Sequence, residues 1–151
     1  MSHFIPQDAG FEARVRTSFT RQQVMITLGA TMTHVAPGEI EIQLPFRPDL
    51  TQQNGFLHAG IITTIVDSAC GYAAFSLMPA DVGVLTVEYK VNFLAPAQGA
   101  FFAARGRVTR PGRTITVCSG EVVAVQEGHE LLIATMLATM MAVRDRPNAA
   151  E

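Results

Sequence analysis

The order of periodic segments predicts an α+β domain, an antiparallel sheet wrapped around one long helix. Three observations carry this reading. Residues 57–77 form a single apolar run of helix length. Four strand-like runs follow it, divided only by turn residues, and two more flank Pro37-Gly38 ahead of it. Runs of strands around one central helix give the α+β class.

The 151 residues, 1–151, fit one domain. Phe11, Val15 and Phe19 recur at four-residue spacing and predict a short amphipathic N-terminal helix within about 9–28. Residues 22–28 either continue it or form a second short helix that stops at Gly29. Residues 30–35 and 39–44 form a hairpin, with Glu39, Glu41 and Gln43 alternating against Ile40, Ile42 and Leu44. A loop, 45–55, leads into the helix, which Pro79 closes. Ile61, Ile62, Ile65, Val66, Ala69, Cys70, Ala73, Ala74 and Leu77 make that helix apolar almost all round, as expected of one buried on most sides.

The later strands are expected over 82–94, 99–108, 113–125 and 130–143. The last is rich in Ala, Leu and Met, which also suit a helix; the preceding hairpins and the turn residue Gly128 assign it to the sheet. Residues 147–151 are expected to fray.

Hydrophobic residues make up 48% of the chain and charged ones 16%, well under the usual quarter, so part of the apolar excess is expected in subunit contacts. A net charge of −2 excludes the basic footprint of a nucleic-acid binder. Cys70 and Cys118 lie in apolar runs and read as core residues rather than nucleophiles or metal ligands. Asp8 and Glu12 stand where a signal peptide needs apolar residues. Residues 56–78 are long enough to span a membrane, but Asp67 in their middle would cost roughly 2.5–3.5 kcal/mol. A soluble cytoplasmic protein, with neither membrane nor nucleic acid as partner, is expected.

The chemistry concentrates at the start of the long helix. A polar loop, Gln52-Gln53-Asn54-Gly55, runs into His58 and Gly60, where helix amides lack intrahelical partners and the dipole is positive. Asp67 is the one acid in the apolar run, and a carboxylate there costs stability. It acts as a base, or it is a buried Asp bonded to backbone or Ser68. His58 either caps the helix or transfers protons. Nine residues at about 100° each set Asp67 opposite His58 on the helix, so one chain is not expected to aim both at one carbonyl. Two copies side by side would share the site. Arg105, Arg107, Arg110 and Arg113 surround Pro111-Gly112, either as a phosphate-binding patch or as a solvated hairpin end.

The sequence Leu57-His58-Ala59-Gly60, with Asp67 nine residues after His58, resembles the hotdog-fold thioesterases, specifically the PaaI-like acyl-CoA thioesterases. That group usually carries His-Gly-Gly, so Ala59 is a departure. Leu44-Pro45, Phe93-Leu94-Ala95-Pro96 and Gly112-Arg113-Thr114 extend the resemblance, which covers about 11–143. It implies a hotdog fold and hydrolysis of an acyl-CoA to free acid and coenzyme A, with no separate cofactor. Gln52 would contact the thioester carbonyl or orient water. The amide of Gly60 or Ala59 would polarise that carbonyl, Asp67 would be general base or nucleophile, and Thr86 would help to hold the water. Asn54, Ala59, Arg110 and Arg113 are the expected substrate contacts. A homodimer, assembled as a dimer of dimers, is expected. Two other outcomes stay open: a non-catalytic acyl-CoA-binding protein, and an enoyl-CoA hydratase or dehydratase on the same fold.

Overall fold

A computed structural model describes residues 3–144, so the tail expected at 147–151 lies outside the described residues. The N-terminal helix divides in two, α1 (Phe11–Arg21) and α2 (Gln23–Leu28), because Gln22 between them is extended. Gly29 ends α2 in the left-handed region, at φ 75°. Strands β1 (Thr31–Ala36) and β2 (Glu39–Pro45) follow, then a 3₁₀ turn (Pro48–Leu50) inside the expected loop. The long helix, α3, runs Ala59–Phe75, shorter at both ends than the apolar run because His58 caps it and single turns follow Phe75. Strands β3 (Gly83–Phe93), β4 (Phe101–Arg110), β5 (Ile115–Gln126) and β6 (His129–Val143) complete the chain.

The six strands form one antiparallel sheet in the order β1-β2-β4-β5-β6-β3, curled around α3. Residues 129–143 are therefore strand, as their hairpin neighbours require; Glu127 (φ 51°) and Gly128 (φ 77°) make the two-residue turn. Two paired glycines, Gly106 on β4 and Gly120 on β5, let the helix sit close to the sheet. A Cβ on Gly106 would lie 2.3 Å from the carbonyl carbon of Ala69, and one on Gly120 would lie 2.6 Å from Val66 Cγ2. The middle of α3, and Asp67 with it, is fixed by this contact.

The C-terminal end of α3 is held by α1. Arg14 donates to the carbonyls of Phe75 (3.2 Å) and Met78 (2.8 Å), stacks on the Phe75 ring and pairs with Asp8. As expected, α3 is buried on most sides, and one side stays open. Gly60, Thr64, Asp67, Ser68 and Gly71 form a half-open stripe of small and polar residues along it.

Strand β3 is an edge of the sheet and carries a bulge. Thr86 pairs with Met140 but Glu88 pairs with Thr139, so Val87 is one residue more than its partner strand supplies. Before the bulge Val84 and Thr86 face the helix; after it Tyr89, Val91 and Phe93 do, opposite Ala138, Met136 and Ala134. Tyr89 and Phe93 are nevertheless 45% and 47% exposed, because α3 does not reach over the edge.

Candidate active site

The loop before α3 is pinned from several directions. His58 N–H donates to Leu50 O and Leu57 N–H to Ala97 O, each at 3.0 Å. Gly55, at φ 86°, turns the chain back so that its amide reaches Gln52 O at 3.0 Å. The Asn54 amide donates to the side-chain oxygen of Gln52. That bond leaves the Gln52 Nε2 hydrogens as the available donors of the carboxamide. Asn54 itself is exposed at the loop tip.

His58 is the N-cap of α3, and its Nδ1 accepts from Gly60 N–H at 2.8 Å. The ring proton of neutral His58 is therefore on Nε2. A Cβ on Gly60 would lie 3.0 Å from that Nδ1, so the glycine keeps room for the capping ring. The Gly60 amide is thus taken. The amide of Ala59, the first helical residue, has no acceptor among the described residues and is the donor left at the positive end of the helix. Beside it lies a cavity of about 440 Å³, mostly apolar, lined by Gln52, Phe56, Ala59, Ile62, Phe93 and Pro96 among others.

Asp67 lies on the open stripe of α3, beyond the far end of that cavity's lining. Its Oδ1 accepts from the Thr86 hydroxyl at 2.8 Å, which joins the central helix to the edge strand. Burial raises the Asp67 pKa from its ordinary value, and the Thr86 hydrogen bond opposes the rise. A carboxylate so placed is a better proton acceptor than an exposed one. A smaller pocket, of about 100 Å³, opens beside it between Gln22, Ser68, Gly71, Tyr72, Val84 and Met140.

His58 lies outside the helix, so counting helical turns from it misplaces Asp67. Counted from Gly60, seven residues at about 100° bring Asp67 back to within about 20°, on the same stripe. What separates the two is distance, about 10.5 Å along the axis. Because His58 is the N-cap with extended backbone, turn counting does not fix which way it faces relative to Asp67.

The arginines divide. Arg105 is committed to carboxylates, bonding Glu130 at 2.5 Å and Glu41 at 2.9 Å, and these two raise its pKa further. Arg107, Arg110 and Arg113 are exposed, with no carboxylate partner among the described residues. Arg110 and Arg113 flank the β4–β5 turn, at the sheet end where Ile115 pairs with Met141 and Met141 with Leu85. Cys70 and Cys118 are buried, and burial drives the Cys70 thiol well up and that of Cys118 to about 12. Both stay protonated and neither is a nucleophile. The described residues hold no cluster of metal-ligating side chains, and none of their helices is long and apolar enough to cross a membrane.

A family model described as the thioesterase superfamily matches residues 54–130, just over half the chain, from the loop through β5 and its turn. The chain belongs to the thioesterase superfamily. It is a thioester hydrolase with a hotdog fold. A thioesterase family protein of Silicibacter pomeroyi, solved by crystallography, is 55% identical, with a TM-score of 0.89 over 90% of this chain and 100% of that one. A Halobacterium salinarum protein, provisionally named an esterase, is 30% identical over 128 residues, 82% of this chain and 83% of that one. The PaaI protein of the Escherichia coli phenylacetic acid degradation operon shares the fold, with a TM-score of 0.80 at 16% identity over 88% of this chain and 93% of its own.

Two features of this thioesterase escaped the sequence reading. Gln22, assigned only to a helix, reaches the Asp67 pocket, where its Oε1 accepts from Ser68 Oγ at 3.0 Å. The segment Phe93–Pro96, noted as a strand end, is a wall of the cavity at the helix start. The first carries no sequence signal. The second had one, an apolar run ending in proline next to a predicted strand.

Proposed function

We propose that this thioesterase hydrolyses acyl-CoA at two equivalent sites, each built from two protomers of a homodimer. One observation carries the reading: the free Ala59 amide at the start of α3 and the Asp67 carboxylate lie about two turns apart along the helix. An antiparallel pairing of two such helices, about a two-fold axis between Thr63 and Thr64, sets Ala59 and Gly60 of one opposite Asp67 of the other. The uncovered Tyr89 and Phe93 on the unpaired edge of β3 supply an apolar surface for the same contact. Leu85, Ile115 and Leu137, exposed on the outer face of the sheet, suit the stacking of two dimers.

In this site the thioester oxygen accepts from the Ala59 amide, with Gln52 Nε2 as a second donor. Asp67 of the facing protomer takes a proton from water through Oδ2, its Oδ1 being held by Thr86. The water oxygen bonds to the carbonyl carbon, and charge moves to the oxygen at the helix start. The tetrahedral centre collapses, the C–S bond breaks, and the departing coenzyme A thiolate takes the proton back from Asp67. Arg110 and Arg113 offer forks for the coenzyme phosphates.

The test is thiol release from a panel of aromatic and C4–C16 acyl-CoA thioesters. Thiol release is expected from these thioesters, and a 2-enoyl-CoA is run alongside them as the hydratase substrate. Loss of enoyl absorbance without thiol release assigns a hydratase, and binding with no turnover assigns an acyl-CoA-binding protein.

A further inference from the structure

The pocket beside Asp67 has a composition the hydrolytic step does not require. Its floor is α3, at Asp67, Ser68, Gly71 and Tyr72, and its walls are Val84 and Thr86 of β3 and Met140 of β6. Its end is closed by Gln22, the single extended residue between α1 and α2. Ser68 Oγ donates to Gln22 Oε1 at 3.0 Å, which fixes the carboxamide. The Gln22 Nε2 hydrogens have no acceptor among the described residues.

Gly71 adds an independent observation. A glycine inside a helix costs roughly 1 kcal/mol relative to alanine. Gly106 and Gly120 offset that kind of cost by admitting neighbours, but an ideal Cβ on Gly71 meets nothing within 4 Å. Nothing in the protomer's packing requires this glycine, and what it leaves is open volume next to Asp67. That volume, about 100 Å³, is smaller than the ~150 Å³ cavity that holds a benzene ring. It holds a few carbons and is too small to enclose a fatty chain.

Resting on the thioesterase reading above, we infer that this pocket is the acyl-end subsite and that the Gln22–Ser68 bridge ends it. It selects short acyl groups bearing an oxygen that accepts from Gln22 Nε2. The larger apolar cavity at the facing helix start is left for the pantetheine arm. A part-buried donor of this kind discriminates because a bound substrate without the oxygen shields it from water and leaves it unpaired.

The experiment measures kcat/KM by thiol release for acetyl-, butanoyl-, 3-hydroxybutanoyl- and decanoyl-CoA, using the wild type, Gln22→Leu, Ser68→Ala and Gly71→Ala. Each variant is first checked for its melting temperature and oligomeric state. The wild type is expected to favour 3-hydroxybutanoyl over both butanoyl and decanoyl by about 10-fold. Gln22→Leu should collapse the ratio of 3-hydroxybutanoyl to butanoyl, and Ser68→Ala, which frees the carboxamide, should reduce it. Gly71→Ala should lower the ratio of butanoyl to acetyl by about 10-fold while the melting temperature holds or rises. Hydrolysis with decanoyl preferred, or with ratios unchanged in all three variants, overturns the inference and leaves the thioesterase reading intact. A Gly71→Ala protein that loses its dimer assigns that open volume to the partner chain and also overturns it. No thiol release from any of the four overturns the inference, and overturns the thioesterase reading as well only if the aromatic thioesters of the wider panel are also left intact.

Discussion

The hydroxyl of Thr86 donates to Oδ1 of Asp67 at 2.8 Å, and this bond couples the edge strand of the sheet to the middle of the central helix. Its chemical effect is to restrain a carboxylate whose pKa burial has already raised. The acidic limb of kcat/KM is accordingly expected to report an apparent pKa above the ordinary Asp value. Thr86→Val removes the opposing hydrogen bond, so the limb should move to still higher pH, while Thr86→Ser should leave it in place. A limb that stays put in Thr86→Val would separate the pair from the chemistry.

Asp67→Asn keeps the shape and the acceptor for Thr86 but removes the base. A turnover loss of about 10²-fold or more is expected, with acyl-CoA affinity little changed. Stability should move the other way. Because the folded pKa is raised, the folded state holds the proton more tightly than the unfolded one, and stability falls as pH rises through the window between the two values. At neutral pH the ionised Asp67 is therefore a net cost, and Asp67→Asn should melt higher than the wild type. A lower melting temperature would assign Asp67 a structural role.

His58 and Gly60 form a local lock at the helix start. His58→Ala should cost about 1 kcal/mol of stability by leaving the Gly60 amide uncapped, whereas His58→Asn, a good N-cap, should recover most of it. Activity in His58→Ala should fall less than in Asp67→Asn, through displacement of the Ala59 amide. Denaturant unfolding of both variants, paired with thiol-release rates, decides this.

Mixing subunits tests the shared site. A Gln52→Ala subunit and an Asp67→Asn subunit each lack one half, so their heterodimer should regain one of its two sites. Absence of recovery in heterodimers confirmed by mass spectrometry would place each whole site within one chain.

Replacing Arg110 and Arg113 together by Gln should raise KM for acyl-CoA and weaken its salt dependence, with kcat unchanged. An unchanged KM would return the β4–β5 turn to the role of a solvated hairpin end.

The α+β architecture was legible because alternation in β2 and turn residues between the later strands are local signals. The long helix was legible in extent and as buried on most sides, but not in which side stays open. Its stripe from Gly60 to Gly71 is left open by the curl of the sheet, and no property of those residues alone announces that. Gly106 and Gly120 likewise look unremarkable until pairing places them under Ala69 and Val66. For the candidate site, spacing singled out Asp67 and the helix start. The division among backbone donors was not legible, since it depends on the His58 ring occupying one amide and sparing the next. Nor was the commitment of Arg105, whose carboxylate partners come from β2, β5 and β6.

The extra residue Val87 works as a change of phase within one strand. Ahead of it, even-numbered positions look toward the helix; past it, odd-numbered ones do. Without that change, a strand aiming Thr86 at Asp67 would also turn Glu88, Lys90 and Asn92 inward and send Tyr89, Val91 and Phe93 out to water. Side-chain identity at Val87, which is half exposed, matters little to this. Chain length does. The position should accept nearly any residue that suits a strand, yet its deletion should abolish the site or the fold, so this chain tolerates replacement there but not a gap.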